Sequence, residues 1–194
     1  KTNIPERIAA LREAMRQQKV DAYIIPSSDP HLSEYPADRW KSREWISGFT
    51  GSAGTIVVTA DKAGLWTDSR YFLQAASQLE GSGIELYKLR SGDTVFTEFL
   101  LHELHAGQAV GLDGQTYSAA EAVLQKLSRK EIKLDTSADL IEVLEGPSRR
   151  SRKPDIRDAG SIKRSLVHEK LDLINNQLRS EGADCLILRR LRRD

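Results

Sequence analysis

The chain has 194 residues, 39% hydrophobic and 29% charged, which is enough apolar material for one domain of common size plus an appendage. Its 29 basic residues oppose 28 acidic ones, so no overall field attracts a polyanion, and nucleic acid is disfavoured as a partner. The lone Cys185 excludes an internal disulfide and favours a reducing, cytoplasmic compartment. No apolar run reaches the roughly 20 residues that cross a bilayer, so we expect no membrane partner.

The first elements are a helix and a buried strand. Ile8, Leu11 and Met15 recur at helical spacing, and Asn3 with Glu6 resembles a capping arrangement that starts this helix. We therefore expect the opening residues to form an amphipathic helix rather than an export signal. Residues 22–25 (AYII) are a short apolar run ended by Pro26, which predicts a buried strand. A long polar and aromatic connection follows, to Gly54, and connections of that length are often functional.

The remainder of the first domain alternates between strands and helices. Residues 55–59 and 65–67 flank a short loop in which Gly64 suits a positive φ angle, and this pattern predicts an antiparallel hairpin. Asp68 or Ser69 then caps a helix that runs through Leu79. The predicted elements then alternate as strand 84–89, helix 94–104, strand 109–113, helix 119–127 and strand 132–134. Alternation of strands and helices predicts crossover connections and parallel pairing of the strands. We predict a three-layer α/β/α domain over residues 1–144, with a mixed sheet of about six strands.

An internal repeat follows a linker rich in Pro and basic residues, predicted at 145–161. The segment from Glu169 matches the first helix without gaps at an offset of 163, and the next predicted strand, at Ile187-Leu188, matches Ile24-Ile25. This agreement predicts that residues 162–194 are the truncated start of a second copy of the first domain. Helix-then-strand is a common unit, so coincidence is the alternative.

Small residues precede the second strand, in the sequence Phe49-Thr50-Gly51-Ser52-Ala53-Gly54-Thr55. A phosphate-binding loop would need a helix N-terminus and usually a Lys, whereas this segment leads into β structure. We therefore interpret it as a tight turn that allows close backbone approach, with phosphate binding as the alternative.

The segment Trp66 to Ala75 passes from strand to helix at the carboxyl edge of the sheet, where loops commonly carry ligand contacts. One interpretation gives these residues a purely structural role, in which Asp68 caps the helix. The residues that then face the core are Tyr71, Phe72, Ala75 and Ala76. Arg70 differs, because a cation in the first helical turn is disfavoured by the helix dipole. Its position indicates an anionic partner, which is a substrate carboxylate, Glu34 or Asp68.

A cluster of polar residues lies in the long connection. Asp29, His31 and Glu34 could ligate a metal or carry protons, but no second His or Cys lies nearby, and we expect no metal site in this chain. A two-metal nuclease built on Asp29, Glu34 and Asp68 is a further alternative. We favour a structured loop whose His31 and Glu34 point across a domain interface.

Four segments, in this order, resemble the creatinase/aminopeptidase P family, and within it the first domain of three-domain Xaa-Pro aminopeptidases. The segments are AYIIPS at 22–27, HLSEY at 31–35, SGFTGSAGT at 47–55 and WTDSRYFLQAA at 66–76. The resemblance covers residues 4 to about 144 and implies a creatinase N-terminal fold with an RNase H-like motif.

This resemblance also implies a function. Such enzymes hydrolyse the bond before a penultimate proline, using two divalent ions, commonly manganese, held by a C-terminal domain that these residues do not contain. We therefore expect no catalytic residue here and an inactive chain, whose substrate-binding residues are Arg70, Glu34, His31 and Tyr71. The implied partner is a peptide with penultimate proline, and a homodimer is left open. The alternative is a stand-alone protein-interaction module of the same fold.

Overall fold

The computed structural model describes residues 3–29, 33, 36–89, 95–116, 126–137, 139–145 and 160–182. By its internal contacts the chain divides into two compact units, Lys1–Ser151 and Arg152–Asp194. Each unit is described by itself.

The first unit is built on a six-stranded mixed sheet in the order β4-β3-β2-β1-β5-β6. Strand β2 pairs antiparallel with both β1 and β3, and the remaining neighbours pair in parallel. Five strands therefore run in one direction and β2 alone opposes them. This arrangement confirms the predicted mixed sheet, and the strands are β1 Ala22–Ile25, β2 Thr55–Thr59, β3 Ala63–Thr67, β4 Glu85–Lys88, β5 Ala109–Leu112 and β6 Lys133–Asp135.

Helices cover both faces of this sheet. Alternate residues of β1 point to opposite faces, so Tyr23 and Ile25 join one hydrophobic cluster while Ala22 and Ile24 join another. The first cluster includes residues of helices α1, α3 and α5, and the second includes residues of α4. The domain thus has the predicted three layers, and the helices whose bounds the structure describes are α1 Ile4–Gln17, α2 Ser42–Ser47, α3 Phe72–Gln78, α4 Val95–Glu103 and α5 Leu140–Glu145.

Two local predictions are wrong, and a third, at Asn3, is only partly confirmed. Gly64 lies inside β3 without a positive φ; instead, a Cβ there would lie 2.6 Å from the Tyr87 ring, so close packing explains the glycine. Asn3 is at the N-cap of α1, but its side chain makes no capping hydrogen bond. Ala76 is exposed, because Ala75 occupies the buried face of α3 and the next residue of an α-helix points about 100° away. Most of the helix predicted at 119–127 lies outside the described residues.

The second unit contains helix α6, Gly160–Ser180. This helix begins two residues before the predicted start of the second copy. Its apolar positions are not deeply buried, since Leu171 is 48% exposed and Ile174 and Leu178 are half-buried. The strand predicted at 187–188 lies outside the described residues. Among the helices that the structure describes, none combines the length and apolarity needed to cross a membrane.

Candidate functional site

The carboxyl ends of β1 and β3 lie at the same edge of the sheet, because both strands pair antiparallel with β2. The start of β2 lies at this edge too. Three segments therefore meet there, namely the connection after β1, the turn after β3 and the small-residue loop before β2. Ligands of open α/β sheets commonly bind at such an edge, and we call this place the carboxyl edge.

Asp68 and Arg70 form an ion pair at the carboxyl edge. Asp68 caps the turn Ser69–Tyr71 by accepting a hydrogen bond from the Arg70 backbone N–H at 3.0 Å. The Arg70 guanidinium donates from Nε to Oδ1 and from Nη2 to Oδ2 of Asp68, both at 2.9 Å. Hydrogen bonding from Arg70 lowers the pKa of the Asp68 carboxyl below its usual value. Three anionic partners are predicted for Arg70, and the structure shows that Asp68 is ion-paired with it.

Tyr71 joins this turn to the small-residue loop. Its hydroxyl lies 2.6 Å from Ser52 Oγ, and its ring meets Phe49 edge-to-face at 5.9 Å between centroids. A Cβ at Gly51 would lie 2.3 Å from Phe49 and 2.7 Å from Tyr71. The predicted close backbone approach is therefore confirmed at Gly51.

Helix α3 also holds this loop through Thr50. The Thr50 backbone N–H donates to Gln78 Oε1 at 3.0 Å, and its hydroxyl oxygen accepts from both Gln74 and Gln78 at 2.9 Å. These contacts tie the loop to the helix that follows Arg70 and Tyr71.

Sequence reasoning missed Arg43, which α2 places beneath the same loop. The residue is only 8% exposed, donates from Nη2 to the Gly51 carbonyl and lies 4.9 Å from the Phe49 ring centre. Its Nε and Nη1 atoms are buried without an acceptor among the described residues. Burial lowers the pKa of this guanidinium to about 10. The available signal was spacing, because Arg43 shares a helical face with the buried Ile46 and Ser47.

A cavity of about 290 Å³ opens beside Arg43. Its walls come from the connection after β1, from α2 and from the small-residue loop. The lining residues are Pro26, Ser27, Pro36, Trp40, Lys41, Arg43, Glu44, Thr50, Gly51 and Ser52.

Two of the four predicted substrate-binding residues, His31 and Glu34, lie outside the described residues, whereas Arg70 and Tyr71 are neighbours at the carboxyl edge. Asp29 is buried, and its Oδ1 accepts from the Ser33 backbone N–H at 2.8 Å. Across the described ranges, no three His, Cys, Asp or Glu side chains come together as a metal site. Because both Asp68 oxygens accept hydrogen bonds from Arg70, they are poorly available as metal ligands.

Comparisons with known proteins place this geometry in a family. A model of the creatinase/prolidase N-terminal domain matches residues 7–144. Aminopeptidase P2 of Arabidopsis thaliana is 37% identical over 97% of this chain, which spans 28% of that protein. Xaa-Pro aminopeptidase 2 of Homo sapiens is 40% identical over 76% of the chain, which spans 22% of it.

Solved structures agree with these sequence matches. An X-prolyl aminopeptidase from Caenorhabditis elegans, described as a cytosolic enzyme with a di-nuclear active site, superposes with a TM-score of 0.69 at 29% identity over 90% of this chain and 32% of that one. The N-terminal domain of the cytoplasmic peptidase PepQ from Mycobacterium tuberculosis H37Rv gives a TM-score of 0.57 at 26% identity, covering 72% of this chain and 98% of that domain. The chain, which spans less than a third of the Arabidopsis, human and Caenorhabditis proteins, therefore belongs to the creatinase/prolidase N-terminal domain family.

Proposed function

We propose that this chain is the non-catalytic N-terminal domain of a metal-dependent Xaa-Pro aminopeptidase, and that it shapes the access of peptides to the catalytic centre. The support for the reaction is the run of Xaa-Pro aminopeptidases among the relatives. The proposed substrate is a peptide with a penultimate proline, and the proposed location is the cytoplasm. The proposed division is residues 1–144 for the domain, 145–161 for a linker and 162–194 for the start of a second similar domain.

The observation that carries the access role is the fixed, exposed guanidinium of Arg70. Its side chain is 66% exposed, yet Asp68 holds it through two hydrogen bonds and the half-buried Tyr71 ring lies 5.2 Å away. A positioned cation loses less freedom on binding than a free one, so Arg70 is suited to contact a peptide carbonyl or carboxylate. Tyr71 adds a hydroxyl beside it. His31 and Glu34 remain predicted contacts.

The metal chemistry would belong to the rest of the enzyme. A di-nuclear active site is described for the Caenorhabditis enzyme, and we propose two divalent ions, manganese, in the protein that contains this domain. Such a pair activates a water molecule and polarises a scissile carbonyl. What this chain contributes is the binding surface at the carboxyl edge.

An activity assay tests this assignment. The purified 194-residue chain, incubated with a Xaa-Pro-Pro peptide and Mn²⁺, should release no N-terminal residue above buffer, while a full-length relative serves as positive control. Turnover by the chain would refute the non-catalytic role. The stand-alone interaction module differs in a simple way, because its reading frame would not continue past Asp194 into a metal-binding domain.

A further inference from the structure

Arg43 is a buried cation that lacks a hydrogen-bonded carboxylate partner among the described residues. It is 8% exposed. Its close polar contact is a hydrogen bond to the Gly51 backbone carbonyl, and its cation–π contact is with the Phe49 ring. Buried charges are ordinarily paired, because removing an ion from water is costly. Unpaired buried N–H donors add to this cost, and Arg43 leaves Nε and Nη1 without an acceptor in the described part of the chain.

The neighbouring charges do not resolve this deficit. Glu44 raises the pKa of Arg43 by its charge but is not hydrogen-bonded to it within the described structure. Lys41 lines the same cavity and pairs with Asp38 at 2.7 Å. Among the lining residues that the structure describes, Lys41 and Arg43 are cationic and Glu44 is anionic. Because Lys41 is already paired with Asp38, Arg43 is the lining cation there with N–H groups that lack an acceptor, and an anion would supply one.

The donors around the cavity favour an occupant of low charge. Ser27 donates its hydroxyl to the Gly54 carbonyl, and Ser52 shares a hydrogen bond with Tyr71. Thr50 Oγ1 accepts two hydrogen bonds, so its own proton is still available to a ligand. The Lys41 ammonium already pairs with Asp38, so Arg43 and Thr50 supply the unused donors among these described residues. So small a set suits a singly charged carboxylate better than a phosphate with its three strong acceptor oxygens.

We propose that this cavity is a binding site for a small carboxylate, whose oxygen accepts a hydrogen bond from the Arg43 guanidinium. The volume of about 290 Å³ equals roughly ten water volumes, room for a molecule of amino-acid size. Nε and Nη1 of Arg43 are buried, so a carboxylate in the cavity reaches them only when the lining side chains turn aside. The site does not depend on the aminopeptidase assignment, since Arg70 and Tyr71 do not line it.

The test is a titration of the 194-residue chain with acetate, using acetamide as the uncharged control of the same shape. The ¹H–¹⁵N signal of the Arg43 side-chain Nε–H reports the binding. We expect this signal to shift with acetate along a saturating curve, with a dissociation constant on the order of millimolar. Acetamide at the same concentrations, with chloride matching the ionic strength, should leave the signal in place.

Two variants identify the residues. Arg43→Lys keeps the charge but removes the guanidinium fork, and acetate affinity, followed by the backbone signals of Thr50 and Ser52, should fall at least tenfold. Arg16→Lys is the matched control, because the Arg16 side chain is exposed, and it should leave acetate affinity unchanged. Glu44→Gln removes from the lining a negative charge that repels acetate, and it should tighten acetate binding several-fold. This variant keeps the proposal testable should Arg43→Lys fail to fold.

Three results would overturn the proposal. The first is a shift that never saturates or that acetamide reproduces, and the second is unchanged affinity in Arg43→Lys. The third is affinity unchanged or weakened by Glu44→Gln. Equal binding of phosphate and acetate would also refute the preference for a singly charged carboxylate.

Discussion

Replacing Gly51 with alanine should strain the contact between the small-residue loop and the aromatic pair Phe49 and Tyr71. The new methyl group would lie 2.3 Å from Phe49 Cζ and 2.7 Å from Tyr71 Cδ1, well inside van der Waals contact. Phe49 is fully buried, so its ring can yield only by disturbing the core. Overpacking of this kind costs about 1–3 kcal/mol, and losing the edge-to-face contact adds about 0.5–1.5 kcal/mol.

We therefore expect the Gly51→Ala variant to lose about 2–4 kcal/mol of unfolding free energy. Urea unfolding followed by tryptophan fluorescence measures this loss within the first unit, because all three tryptophans lie between residues 40 and 66. Gly81→Ala is the control, since its Cβ would meet nothing within 4 Å although its φ is +72°. That backbone strain alone should cost about 1 kcal/mol.

A second variant locates the clash. Phe49→Leu removes the ring atoms that the new methyl group would strike, so Gly51→Ala should cost at least about 1 kcal/mol less in that background than in the parent chain. A loss below about 0.5 kcal/mol for Gly51→Ala, or equal losses in both backgrounds, would refute this account of the packing.

Three further predictions concern single side chains. In Arg70→Gln the Asp68 pKa, followed by carboxyl ¹³C shifts, should rise toward its usual value because the guanidinium that lowers it is gone; an unmoved pKa would contradict the ion pair. Burial, and then a hydrogen bond to Glu85, raise the pKa of Tyr87 to about 12. The contribution of this raised pKa to the stability of the folded state is therefore complete below pH 10 and is lost as pH rises from 10 through 12. In Glu85→Gln the Tyr87 pKa, measured by ultraviolet titration, should fall yet stay above 10. The Tyr87 and Trp66 rings stack with their centroids 4.2 Å apart. Gly64→Ala places a methyl group 2.6–2.7 Å from both rings and should lower the free energy of unfolding in urea by about 1–3 kcal/mol, whereas a neutral result would mean that the rings move freely.

The sequence predicts the sheet well because its strands carry strong local signals. Residues 22–25 are apolar throughout and become a central strand that is buried on both faces, while residues 55–67 contain a hairpin with a short turn. The prediction of a positive φ at Gly64 is wrong because glycine serves both positive φ angles and close packing. Only the position of Tyr87, two elements later, shows which of the two applies.

The candidate site was only partly predictable. The partner of Arg70 proved to be two residues away, so local sequence contained the answer among three alternatives. Arg43 escaped notice because charged residues are seldom fully buried, and its burial depends on Phe49 and the loop at Gly51 folding over it. The helical spacing from Arg43 to Ile46 and Ser47 shows only that these residues share a face of α2, whereas the tertiary contacts that bury Arg43 cannot be seen in the sequence.

The kinetic effect of Arg70→Gln in the full-length protein tests the proposed access role most directly. Because the role is peptide binding rather than chemistry, KM for a Xaa-Pro-Pro peptide should rise roughly tenfold while kcat changes little. Arg16→Gln, which removes an exposed arginine on α1, should leave both constants unchanged. A normal KM in Arg70→Gln, or a fall in kcat at unchanged KM, would contradict the proposal that this domain binds the peptide at its carboxyl edge.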